Sequence, residues 1–185
     1  MNYYGGHNMA NSWRTVRNNT IQIAEEIPAD KYDFRASEDT MTVAELLSHM
    51  ATNTLWGARV HFAEKKSAIA MQEFGEFQAA ARDASSKLTT KDLIVAALKE
   101  NGEELARGLE GISDAALAEV VTLPGGDKTR FEMLLGLKEH EMHHRGQLMV
   151  VERLLGIVPH MTRMRLERMA KMAEMAAAAT ATTAH

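Results

Sequence analysis

The 185-residue sequence contains no cysteine and only 3 prolines. Without a thiol of its own, the chain cannot form a disulfide, an iron–sulfur cluster, a thiolate metal site or a cysteine nucleophile. The scarcity of proline, together with the 13 methionines, favours long helices, because proline breaks helices and unbranched side chains fit them well. Any thiol chemistry must therefore use a thiol that a small molecule brings in.

The sequence also lacks a strong charge of one sign and a long apolar run. The formal net charge of -4 gives no general attraction for phosphate backbones, so we expect no nucleic-acid partner. No run reaches the ~18 apolar residues of a membrane span, and the first residues have neither the basic leader nor the apolar core of a signal peptide. These absences predict a cytoplasmic protein with no membrane partner.

Strand patterns are almost absent, whereas five stretches have helical periodicity. The predicted helices span residues 11–27, 43–65, 90–110, 130–155 and 162–178. A short extended piece at residues 120–123 precedes a turn. The pattern predicts an all-α four-helix bundle in residues 1–160. Residues 161–185 are predicted to add a C-terminal helix with an Ala/Thr-rich end that frays.

Three of the 8 histidines lie in segment 137–148 of the fourth predicted helix. His140 and His144 project from one face, because residues i and i+4 lie about 40° apart on a helix. Charged residues fall on the opposite side of this helix: Lys138, Arg145, Glu152 and Arg153. The histidine pair is therefore predicted to point into the bundle.

Two inward imidazoles are costly to bury unless they are hydrogen-bonded or bind a metal. Neutral imidazole is a good ligand for zinc, nickel, iron or copper, so the pair is consistent with a metal site and equally with core histidines bonded to neighbouring helices. His49 on the second predicted helix shares its side with Leu46 and is a candidate third ligand. Three such ligands would leave open positions on the ion, which is typical of a catalytic metal.

The other conspicuous side chains have plainer interpretations. Surface or packing roles are assigned to His7, His61, His160 and His185. His143 is interpreted as a helix–helix contact, and the alternative is a group that supports the metal ligands without binding the ion. Gln147 either orients a ligand or bonds a neighbouring helix. Packing against the bundle or against a dimer partner is assigned to Met161, Met164, Met172 and Met175.

Three segments resemble motifs of the DinB family of metalloenzymes. Residues 28–35 look like the link after the first helix of the family, and residues 41–50, which contain His49, look like its second-helix motif. Residues 140–148 look like its closing motif. The resemblance implies an up-down-down-up bundle, one divalent ion per chain held by His49, His140 and His144, and a homodimer.

Some members of this family are thiol transferases that attach a low-molecular-weight thiol, such as bacillithiol or mycothiol, to an electrophile. The resemblance thus implies a metal-dependent thiol transferase whose partners are a small thiol and a small electrophile. Zinc, nickel, iron and manganese are all accepted by three imidazoles. The alternative is a metal-binding or ligand-binding bundle without turnover. No residue beyond the metal ligands is assigned to catalysis.

Residues 140–144 also match the H-E-x-x-H signature of zinc proteases, in which Glu141 would be the general base. Those enzymes place the helix beside a sheet whose edge strand holds the peptide, and this sequence has almost no strand. We therefore expect Glu141 to be dispensable for a transferase, whereas a protease would need it as a base.

Overall fold

The computed structural model of the chain describes residues 4–182, with side chains through Ala177. Helices account for most of these residues. They are α1 (Gly6–Glu26), α2 (Val43–Ala58), α3 (Met71–Ser86), α4 (Lys91–Gly111), α5 (Asp114–Ala118), α6 (Arg130–Leu154) and α7 (His160–Thr182). In the described range, β1 (Val120–Val121) pairs antiparallel with β2 (Lys128–Thr129) as a two-stranded sheet. The mostly helical class predicted from the sequence is confirmed.

Threonines cap the N-termini of three of the long helices. Thr42 caps α2 and Thr129 caps α6 through capping boxes. In each box the threonine hydroxyl accepts a backbone N–H from Glu45 or Glu132, and the glutamate accepts the backbone N–H of the threonine. Thr90 caps α4 through its hydroxyl alone. Because a cap of this kind stabilises a helix by ~1 kcal/mol, these threonines fix where the three helices start.

The long helices α1, α2, α4 and α6 pack on one another around a shared apolar core. One core cluster takes a residue from each of them: Ile23, Leu47, Leu98 and Leu148. A second cluster surrounds Trp13, whose indole N–H donates to the carbonyl of Gly102 at 2.8 Å. The up-down-down-up order and the boundary at residue 160 stay predictions. Within the part of the chain that is described, no helix is both long enough and apolar enough to cross a bilayer.

Gly57 marks a close approach of α2 to α6. A Cβ at this position would lie 2.4 Å from Cδ1 of Leu137. We therefore expect Gly57→Ala to destabilise the protein by about 1–3 kcal/mol, because the buried leucine must move. Gly75→Ala on α3 is the matched control, since a Cβ there meets nothing within 4 Å, and it should stabilise by roughly 0.5–1 kcal/mol. Urea unfolding measures both, and equal effects would contradict the close α2–α6 contact.

The sequence pattern predicts no helix or strand in residues 66–89, yet α3 occupies most of this segment. Phe77 is its one buried residue, whereas Met71 and Phe74 are exposed. The apolar residues Met71, Phe74 and Phe77 do recur at helical spacing, but they are few and the helix buries Phe77 alone, so the stripe that signals a helix is short. The prediction was wrong here for this reason, and the five-residue α5 was missed in the same way.

Helix α2 ends before Lys65, the predicted end of this helix. The chain continues after Ala58 as a π-helical turn, Arg59–Ala63, and Lys65 has a φ of 49°. The extra residue of a π turn rotates the side chains that follow it, and such turns are frequent at functional sites. This one places His61 in the interior, where it is 2% exposed.

The first turn of α7 is held against α1. His160 Nε2 hydrogen-bonds Asn19 Oδ1 at 3.1 Å, and Arg163 pairs with Glu26 at 2.6 Å. Both contacts join the first turn of α7 to α1. His160 is therefore a buried packing residue, as predicted.

The methionine face of α7 was predicted to pack on the bundle or on a dimer partner, and it does not pack on the bundle. Met161 is half-buried. The next methionines of the face are exposed: Met164, Met172 and Met175. Packing on the bundle is thus wrong, and packing on a dimer partner stays a prediction. The helix continues to Thr182, past its predicted end at residue 178, while His185 lies outside the described residues.

Candidate metal centre

Helices α2 and α6 bring the three candidate histidines together. One ring nitrogen from each of His49, His140 and His144 lies within 4.8 Å of the others. His140 Nε2 is 3.0 Å from His49 Nε2 and 3.1 Å from His144 Nε2. The spacing of one helical turn places two of the rings side by side, and the packing of α2 on α6 supplies the third.

The nitrogen spacing fits a divalent ion. Nitrogens bound about 2.0–2.1 Å from a metal lie about 2.8–3.0 Å apart in octahedral geometry and about 3.3–3.4 Å apart in tetrahedral geometry. The number of hydrogens also supports an ion. Nε2 of neutral His140 carries at most one hydrogen but faces two other ring nitrogens, so hydrogen bonds alone cannot pair all three atoms well. A cation at the common point would satisfy all three lone pairs. The three histidines could therefore hold a metal ion.

Burial keeps these rings neutral. Burial, followed by repulsion from His144 and His49, lowers the pKa of His140 to about 4. Burial is also the main cause that lowers the pKa of His49 and the pKa of His144. A neutral ring offers the free lone pair that a metal needs, so at neutral pH no proton has to be displaced from the site.

Two amide side chains hold the rings in place. Gln147 Oε1 lies 2.7 Å from His144 Nδ1 and accepts its N–H, which leaves the lone pair of this ring on Nε2. Asn53 Nδ2 lies 3.1 Å from His140 Nδ1. For His140 to bind a metal through Nε2, this amide must turn so that its oxygen accepts the Nδ1–H of the ring. Gln147 also reaches His143 at 3.3 Å. Gln147 therefore bonds along its own helix, and the helix–helix contact predicted for the exposed His143 is wrong.

Glu141 occupies the core-facing side of α6, where the histidine pair was predicted. It is 2% exposed, and its Oε2 lies 3.2 Å from Nη2 of Arg17 on α1. Burial raises the pKa of Glu141, and the charge of Arg17 opposes that rise. Because this carboxylate is buried in an ion pair with α1, it is not free to act as the general base of an H-E-x-x-H site.

The face of α6 that packs on the core therefore differs from the predicted face by a rotation about the helix axis. Its buried stripe includes Leu134, Leu137, Glu141, Leu148 and Glu152. Glu152, predicted on the charged side, is 0% exposed, and burial, followed by repulsion from Glu26, raises its pKa to about 7. His144 is 8% exposed at the margin of the stripe, and His140 is only half-buried. The pair therefore lies where the core meets a surface groove.

The groove has two parts, and α3 forms one wall of each. The apolar part, of about 360 Å³, is lined in part by Trp56, Ile69, Phe74, Met133 and Leu137. The polar part, of about 270 Å³, is lined in part by Gln78, Arg82, Ser85 and Ser86. His49 and Asn53 border both parts. The sequence prediction missed the groove together with α3; Phe74 and Gln78, one turn apart on α3, are the signal that could have revealed it.

A mostly helical chain in which two packed helices present three histidines to one point is a helical protein with a possible metal site. The chain belongs to the DinB family, whose family model matches residues 1–177. It is 31% identical over 143 residues to YjoA of Bacillus subtilis (strain 168), which covers 76% of this chain and 84% of YjoA. The family predicted from the sequence motifs is confirmed.

Solved structures share the fold. The DinB-like YjoA structure from Bacillus subtilis has a TM-score of 0.62 at 26% identity and covers 80% of this chain and 92% of that one. A DinB-like protein from Bacillus cereus has a TM-score of 0.65 at 17% identity, covering 85% and 97%. The mycothiol-dependent maleylpyruvate isomerase has a TM-score of 0.60 at 12% identity, covering 80% and 63%. At 17% and 12% identity, the similarity to the last two structures shows a shared fold and nothing more.

Proposed function

We propose that this protein is a metal-dependent thiol transferase that joins a low-molecular-weight thiol to a small electrophile. The observation that carries the proposal is the convergence of His49, His140 and His144 beside a groove, in a chain without cysteine. A bound divalent cation favours the thiolate form of a thiol, which is the nucleophile that the chain itself lacks. In the overall reaction a carbon–sulfur bond forms, the leaving group departs with its electron pair, and the thiol proton is released.

The residues of the chain would fix and orient the reactants. The ligands lie on packed helices, and Gln147 sets the orientation of the His144 ring. Sites for small molecules measure about 300–1,000 Å³, which the two parts of the groove reach together. The apolar part suits the carbon skeleton of an electrophile. The polar part, with the exposed Arg82, suits a hydrogen-bonding or anionic portion of the thiol.

The fold likeness gives the proposal a second support. One similar structure is, by its name, a mycothiol-dependent isomerase, so a protein with this fold uses a small thiol. One divalent ion per chain is part of the proposal, with zinc, nickel, iron and manganese as the candidates.

The test is product formation by the metal-loaded protein with a panel of small thiols and electrophiles, followed by mass spectrometry. We expect a thioether product, and we expect His49→Ala to lose the product together with the metal. His7→Ala is the matched control, because His7 is exposed on α1 and should keep both. Tight metal binding without product across the panel would favour a binding protein without turnover.

A further inference from the structure

A second cavity lies apart from the three histidines. It has a volume of about 480 Å³ and is bordered by the π-helical turn after α2, the end of α4 and the start of α6. Its polar lining consists mainly of His61, Lys65, Arg107, Glu119 and Arg130. No residue that lines it also lines the groove beside His49. A function of this cavity is therefore independent of the proposed transferase site.

His61 offers this cavity a hydrogen-bond donor without a partner. Arg130 Nη1 lies 3.1 Å from His61 Nδ1. Because a guanidinium only donates, Nδ1 accepts, and the hydrogen of the neutral ring is on Nε2. Burial, followed by the charge of Arg130, lowers the pKa of His61 to about 4, so the ring is neutral. Nε2 is buried and has no hydrogen-bond partner within residues 4–182.

A buried donor without a partner destabilises the fold unless an acceptor binds to it. A buried N–H left without one costs about 1–3 kcal/mol. Arg130 cannot relieve the deficit, because a guanidinium has no acceptor atom. Its Nη2 donates to Glu119 at 2.8 Å and to the Lys66 carbonyl at 3.1 Å. These bonds fix the His61 tautomer and leave Glu119 paired with a cation. An acceptor that enters from the cavity lined by His61 could satisfy this donor after a small shift of the ring, since Nε2 itself has almost no exposed surface.

The charges around the cavity favour an anion. Glu119 is paired with Arg130, and two further cations, Lys65 and Arg107, are exposed where the cavity opens to solvent. The only ion pair of Arg107 in the described structure is a loose contact of 3.7 Å with Glu103, which is screened by water. A cationic ligand would be repelled, and an apolar one would leave the His61 donor unsatisfied.

We propose that this cavity is a second binding site, for a small molecule that carries a carboxylate or a phosphate group. An oxygen of the group accepts the Nε2–H of His61, and Lys65 and Arg107 balance its negative charge. The volume suits a small metabolite and not a polymer. The π-helical turn contributes by carrying His61 inward and Lys65 outward within one short segment.

The test uses the intact protein with ¹⁵N-labelled histidine and follows the ring nitrogens by NMR. Inorganic phosphate and acetate are titrated separately at constant ionic strength, so that the two kinds of anion are distinguished. We expect a saturable shift of the His61 Nε2–H signal with at least one of them, and no saturable shift at the exposed His7. The free protein should already show His61 with its hydrogen on Nε2.

Charge-removing variants complete the test without touching the buried residues. We expect Lys65→Gln and Arg107→Gln each to weaken anion binding about tenfold, which corresponds to roughly 1.4 kcal/mol. Arg168→Gln is the matched control, because it removes an exposed arginine from α7, outside the cavity. A His61 signal that does not saturate, or equal weakening in all three variants, would overturn the proposal. Arg130 and His61 would then only hold the turn, with the buried donor left unsatisfied.

Discussion

We expect the double substitution His140→Ala/His144→Ala to abolish divalent-metal binding. Elemental analysis should find about one ion per chain in the wild-type protein and almost none in the variant, because His49 alone cannot hold the ion. A ligand that binds only the folded state stabilises it by about 2.7 kcal/mol at 100 times its Kd. Added metal should therefore raise the Tm of the wild-type protein and leave the Tm of the variant unchanged.

The control for this experiment is His143→Ala. It removes an imidazole from the same turn of α6, but His143 is exposed, and it contacts Gln147 and the His144 ring from outside the convergence point of the three candidate nitrogens. The control should keep the metal content and the metal-dependent rise in Tm. If the double variant binds as much metal as the wild-type protein, the ion lies elsewhere and the three-histidine site is wrong.

The candidate ligands could be predicted because most of their geometry is local. His140 and His144 lie one turn apart on a helix, and that relation holds wherever the helix packs. His49 is different, since the pattern of one helix does not tell which helix it faces. It was a candidate because it shares the inward side of its helix with Leu46, and the resemblance of residues 41–50 to a family motif supported it. The structure places its Nε2 3.0 Å from that of His140.

The surroundings of the ligands could not be predicted, because they depend on contacts between distant segments. Glutamate is rarely buried, and no pattern within α6 predicts that Glu141 lies in the core. Arg17 on α1 makes this burial possible by pairing with Glu141 there. Helix α3 likewise has little apolar pattern of its own, and its place is set by packing on α2. The groove beside the histidines follows from that packing.

Replacing Glu141 by glutamine is expected to destabilise the fold by about 3–5 kcal/mol. Arg17 is 2% exposed, so the variant would leave a buried guanidinium without its counter-charge. The bond from Arg17 Nη2 to the Met50 carbonyl, at 3.1 Å, cannot neutralise that charge. The midpoint of urea unfolding measures the loss. Metal content under conditions where the variant is folded should not change, because Glu141 faces α1 and not the ligands.

Two further variants separate the ion pair from other effects. Glu139→Gln makes the same change at an exposed position of α6 and should alter stability by less than about 0.5 kcal/mol. Arg17→Met/Glu141→Leu should recover much of the loss, because it buries no charge. Glu141 would then be dispensable for the chemistry but not for the fold. If Glu141→Gln instead keeps full stability and abolishes the activity of the metal-loaded protein, the carboxylate acts as a base, and the H-E-x-x-H interpretation returns.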